Sequence, residues 1–218
     1  MLGCKASKID AHDKKITKNL TNKIPDEYSF VNYLSPITDQ GSTNMCVTHA
    51  LACLLNWITD MKLKTSKKDN NIDLKQIYNA RSDKDHDNGM SIKEALSLAR
   101  THGIKSNIGT IKIHDFAMIG SEQILKQAIL CNGPALIALP VYDSSRNDFW
   151  NGAELEGGHC VAVVGYDKNG FIIRNSWGRS YGRNGYWTLP YSELNKIKEI
   201  WTCIYINEQK VKLLLDLH

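Results

Sequence analysis

The chain has 218 residues, 42% apolar and 23% charged, with a net charge of +4. That is enough apolar material for one domain or one two-lobed unit, and it excludes the disordered class. The longest apolar run, near residues 134–142, falls well short of the roughly 18 residues that suggest a membrane span, and no apolar signal region opens the sequence.

Residues 1–23 carry six lysines and two aspartates, which accounts for the whole net charge, and they read as a flexible basic arm ahead of a domain over 24–218. Nothing else in the chain adds to this basic stretch, so nucleic-acid binding is not expected. Val47, Ala50, Leu51, Leu54, Leu55 and Ile58 recur at helical spacing and predict a helix over 46–61. A charged loop over 62–71 follows, then helical patterns over 74–81 and 92–101, the second stopped by Gly103. From Ala135 onward the texture changes to short β-branched and aromatic runs at 136–139, 160–166, 170–175 and 185–189. Lys168-Asn169-Gly170 is a hairpin signal between the middle two. Helices early and strands late predict an α+β chain of two lobes, with a helical N-terminal lobe and an antiparallel β-rich C-terminal lobe.

Six cysteines stand at 4, 46, 53, 131, 160 and 203 without CxxC spacing, which disfavours a zinc site. Cys53, Cys131, Cys160 and Cys203 fall in apolar runs, where cysteine behaves as a small hydrophobe, so no structural disulfide is expected and a reduced intracellular compartment is the simpler reading. Leu2-Gly3-Cys4 has the form of a lipoprotein cleavage box, but nothing apolar precedes it, and Cys4 reads as a thiol near a flexible end. Asp83, Asp85, Asp87 and Glu94 nearly spell a calcium loop, except that Asn88 stands where the sharp turn calls for glycine. No cofactor or metal is expected.

One constellation carries chemistry. Gln40-Gly41-Ser42-Thr43-Asn44-Met45-Cys46 opens the first helix, and Gly158-His159 and Asn175-Ser176-Trp177-Gly178 follow in that order. Cys46 supplies a nucleophilic sulfur, His159 a base for its proton, and Asn175 a group to fix the imidazole tautomer. Gln40 offers an amide donor to an oxyanion. At a helix N-terminus the sulfur is expected to be ionised readily, because the positive end of the dipole favours thiolate. His49, one turn after Cys46, is expected to pack behind the sulfur.

From about residue 24 to 194 these motifs resemble the papain-like cysteine peptidases, most densely over 157–187, reading GGHCVAVVGYDKNGFIIRNSWGRSYGRNGYW. The resemblance implies a papain-like two-lobed fold with Cys46 and His159 facing across a cleft. It also implies that Trp177 shields the His159–Asn175 hydrogen bond from water. Gly89, Met90, Ala138, Gly157 and Gly158 would form the substrate pocket, and the Asp87-x-Gly89 stretch would be the cleft rim rather than a calcium loop.

The nucleophile segment departs from the family signature. Thr43, Asn44, Met45 and Val47 surround Cys46, so the cysteine that usually precedes the nucleophile is missing, and its bridge partner aligns with Asp87. The chain therefore resembles a divergent branch without that disulfide. The arm is also too short for the family's long inhibitory propeptide, and its removal is expected to leave activity nearly unchanged. The implied function is cysteine endopeptidase action on a polypeptide substrate through a Cys-His-Asn thioester mechanism. The alternatives are an isopeptidase or amidase with the same chemistry, and a silent papain-like binding module.

Overall fold

A computed structural model describes residues 2–17, 23–64, 70–84, 86 and 88–204. Its elements in chain order are β1 (Cys4–Lys5), β2 (Lys15–Ile16), β3 (Tyr28–Ser29), α1 (Cys46–Leu63), α2 (Leu74–Asn79), β4 (Met90–Ser91), α3 (Ile92–Thr101), β5 (Ile104–Ser106), β6 (Gly109–Ile111), β7 (Asp115–Ile119), α4 (Glu122–Asn132), β8 (Ala135–Val141), β9 (Gly157–Asp167), β10 (Gly170–Arg174), β11 (Tyr186–Pro190) and β12 (Glu199–Ile204). The helices begin where the sequence supplies acceptors for their free N–H groups. Asp73 accepts from the Gln76 N–H, Ser91 from Glu94 and Ser121 from Ile124. Helix α1 has no such side-chain cap and ends at Lys64 in the left-handed conformation.

The main sheet runs β11-β10-β9-β8-β12-β7-β2, with β3 also paired to β9. Its central ladders are antiparallel, and only β2 joins in parallel, against β7. Helix α1 packs against β9. Its residues Val47, Leu51, Leu54 and Leu55 are fully buried, each worth about 1.5–3 kcal/mol of transfer free energy. That burial fixes the helix N-terminus, and so Cys46, against the first residues of β9. The result is the α+β architecture expected, with additions. Short strands at β3 and β7, helix α4 and the closing strand β12 all arise in stretches whose periodicity is too brief or too mixed to announce them.

The arm departs from expectation. In place of a flexible extension, residues 2–17 lie along the domain: β1 pairs in parallel with β4, and β2 with β7. Its charges find partners. Lys5 bonds Asp83 at 2.9 Å, Lys93 bonds both Asp10 and Asp13 at 2.8 Å, and Lys14 pairs with Asp115. The Ser7 N–H donates to Glu199, and the Met118 N–H donates to the Lys14 carbonyl. A basic composition looks like a solvated tail in a sequence because the carboxylates that meet it, Asp83 and Asp115, lie far along the chain.

Two members of the acidic pattern have other partners. Asp83 bonds Lys5 and His86, an arrangement that holds its carboxyl at about 2, and Glu94 accepts from the Ser82 N–H. Asp85 and Asp87 lie outside the described residues. Among the described residues no three potential ligands cluster.

Candidate active site

Three elements carry the sequence motifs. Cys46 is the first residue of α1, His159 lies in β9, and Asn175 directly follows β10. The β9–β10 hairpin pairs Arg174 with Ala162, and this register carries Asn175 and Trp177 back toward His159. The segment before α1 is anchored from the same side. The buried Arg174 guanidinium donates to the Ser35 carbonyl at 2.6 Å and to the Pro36 carbonyl at 2.5 Å, and the Gln40 N–H donates to the Ser176 carbonyl at 2.7 Å.

His159 Nε2 lies 2.7 Å from Asn175 Oδ1, which also accepts from the Ser176 N–H at 2.7 Å. An amide oxygen has no hydrogen to give, so Nε2 carries the hydrogen and Nδ1 keeps its lone pair. Nδ1 is buried and has no hydrogen-bond partner. The Trp177 ring stacks on the imidazole with centroids 4.5 Å apart at 27°. Phe149 meets both rings edge-on or tilted, at 6.0 Å from His159 and 5.1 Å from Trp177. Sequence reasoning missed Phe149, although Phe149-Trp150 is an aromatic pair within an otherwise polar loop. Gln40 is buried, accepting from Ser176 Oγ at 2.7 Å and donating Nε2 to the Thr43 carbonyl at 2.8 Å. His49 bonds Thr38 Oγ1 at 2.9 Å.

The arm covers this group. Gly3 presses on the backbone of Asn44, where a Cβ would stand 2.0 Å from the Asn44 carbonyl oxygen. The Gly3 carbonyl accepts from the Met90 N–H at 2.9 Å, and the Gly3 N–H lies near the Cys46 sulfur. Of the residues expected to line the pocket, four touch or closely approach the arm. Gly89 at φ 78° faces the Gly3 carbonyl, Met90 pairs with Cys4, Gly157 faces Leu2, and Gly158 faces the Cys4 carbonyl. A Cβ on Gly89 would stand 1.9 Å from that carbonyl oxygen, and one on Gly158 2.2 Å from the Cys4 oxygen, so glycine is what lets a backbone lie this close. Ala138 sits behind them in β8, paired with Cys160 and Glu199.

Under this cover Cys46 and His159 expose no surface. Burial pushes the Cys46 thiol up to about 12, reinforced by the neighbouring Cys4 and opposed by the N–H groups of Cys160, Gly3 and Val47. Burial likewise lowers His159 to about 4, against the pull of its bond to Asn175. The readily ionised thiol expected at a helix N-terminus is thus not what the closed cleft holds. A helix terminus offers about 0.3–1 kcal/mol, and burying a thiolate costs more than that. At pH 8 Cys46 is therefore held almost wholly as the thiol. Iodoacetamide is therefore expected to label Cys46 of the folded chain at least about a hundredfold more slowly than an ordinary exposed thiol. Equal rates for native and urea-denatured chain, followed by peptide mass mapping, would contradict the buried, protonated state.

The arrangement has counterparts. The sequence profile of the papain family of cysteine proteases matches residues 46–203. This chain belongs to that family. Over 201 residues it is 26% identical to cysteine proteinase 3 of Entamoeba histolytica, a match covering 78% of this chain and 64% of that one. Over 92 residues it is 32% identical to a peptidase C1-like protein of Acanthamoeba polyphaga mimivirus, covering 35% and 30%. The chain thus spans less than two thirds of the length of these relatives. Among solved structures, the cysteine protease xylellain from Xylella fastidiosa superimposes with a TM-score of 0.78 at 20% identity, over 94% of this chain and 96% of that one. All six cysteines are free in this papain-family structure. Among the described residues no helix is long and apolar enough to cross a membrane.

Proposed function

We propose that this chain is a cysteine endopeptidase whose nucleophile is Cys46. The observation that carries the reading is the His159–Asn175 pair at 2.7 Å, which leaves a buried imidazole lone pair on the nitrogen not bound to Asn175. Once the arm leaves and water enters, the burial cost that keeps thiol and imidazole neutral falls, and the proton passes from Cys46 Sγ to His159 Nδ1. The sulfur attacks the peptide carbonyl. The amide of Gln40 and the N–H of Cys46, at the first position of α1, meet the oxyanion. The imidazolium then protonates the leaving amine, and water drawn in by His159 hydrolyses the thioester. Trp177 and Phe149 keep bulk water off the His159–Asn175 bond, which strengthens it.

The pocket for the residue second before the scissile bond is the space Cys4 fills, beside Met90 and Gly158 and next to Cys160. These neighbours carry no charge, and Met90 is fully buried. A leucine there is expected to be preferred over arginine by about tenfold or more, because an arginine would lose its hydration and the carboxylate that reaches Cys160, Glu199, is already held by Trp201 Nε1 at 2.6 Å. A cleavage profile on a peptide library, run beside an unfolded protein and an isopeptide-linked substrate, tests both function and pocket. Cleavage confined to the isopeptide would replace the endopeptidase reading, and an arginine preference would overturn the pocket.

A further inference from the structure

Cys4 enters the cleft beside two other thiols. Its strand pairing sets it opposite Met90, and its Cβ lies 3.7 Å from where a Gly158 side chain would begin. Gly158 and Cys160 are two residues apart in β9, so they present to the same face of the strand. Cys4 is close enough to the fully buried Cys160 thiol to raise it, second only to burial itself. The Cys160 backbone N–H in turn lies near the Cys46 sulfur and opposes the rise that burial causes there. Cys4 is the half-exposed member of the three, the one that a small molecule reaches first.

We propose that Cys4 and Cys160 form a redox latch, a reversible disulfide that fixes the arm in the cleft. The oxidant is a small-molecule disulfide of the glutathione class. The Cys4 thiolate attacks one sulfur of R–S–S–R, breaking that bond and releasing the first R–S⁻, which takes up the proton Cys4 gave up. Cys160, once deprotonated, then attacks the Cys4 sulfur of the mixed disulfide and expels the second R–S⁻, which takes the Cys160 proton. Two protein thiols are oxidised to one disulfide, and R–S–S–R is reduced to two R–SH. A reducing thiol runs the sequence backward. Closed this way, the arm keeps substrate out while leaving Cys46 in its thiol form. The consequence for activity rests on the proposed role of Cys46, whereas the bond itself does not.

The test oxidises the full chain with glutathione disulfide, blocks remaining thiols and maps tryptic peptides. The expected product joins residues 1–5, which contain Cys4, to residues 147–168, which contain Cys160. The same link is expected in Cys46→Ala. Nicking of the native arm by trypsin at Lys8 is expected to slow by about tenfold or more on oxidation, to recover with dithiothreitol, and to be unaffected by oxidation in Cys4→Ser. Peptide hydrolysis by the wild-type chain is expected to fall and recover in step. A Cys4–Cys46 link, glutathione left on Cys4 without an internal bond, or arm nicking that does not respond to oxidation would each overturn the latch. If the reduced, arm-released chain hydrolyses no peptide although the Cys4–Cys160 link forms, the endopeptidase reading fails and the latch stands.

Discussion

Gly3→Ala is expected to raise hydrolysis of a small peptide by about a hundredfold or more, equivalent to about 2.7 kcal/mol taken from the closed state of the arm. The added Cβ would stand 2.0 Å from the Asn44 carbonyl oxygen and 2.5 Å from its carbon. Both are backbone atoms just ahead of α1 and cannot rotate aside, so the arm must lift. The rest of the arm keeps its hold through β2 and Lys93, and the domain should melt within a few degrees of the parent. Lys93→Ala, which frees Asp10 and Asp13, is expected to do the same more weakly, because the Asp10 pair is open to solvent and screened, which leaves the Asp13 pair as the main loss. Steady-state rates of the two variants beside the parent measure the effect. An unchanged rate for Gly3→Ala would show that the arm does not gate the cleft.

In the Gly3→Ala background, Cys46→Ala is expected to remove turnover by a factor on the order of 10⁴ or more, because the proposed thioester forms on the Cys46 sulfur. Stability should change little. The lost sulfur leaves a small cavity at the start of α1 worth about 1 kcal/mol, and the buried apolar face that fixes the helix is intact. Rates on a fluorogenic peptide and a thermal melt separate loss of chemistry from loss of fold. Residual activity above about one part in a hundred would move the nucleophile elsewhere.

The sequence by itself determined the helix that begins at Cys46, the β9–β10 hairpin, and the pairing of His159 with Asn175. Each follows from local rules. Apolar residues at helical spacing bury one continuous stripe, and Lys168-Asn169-Gly170 lets the chain fold back on itself so that its register brings Asn175 to His159. The order of motifs also placed the chain in its family, as the match over residues 46–203 shows. Tertiary structure alone decided the state of the site. Nothing in residues 1–17 says that Gly3 will meet Asn44, that Lys5 will meet Asp83, or that Cys4 will meet Cys160, since each contact spans some 40 to 160 residues and depends on how the helical and strand-rich parts pack. Protonation was decided there as well. Position in the sequence puts Cys46 at a helix terminus that favours thiolate, but its ionisation is set by how much water reaches it, and the arm excludes that water.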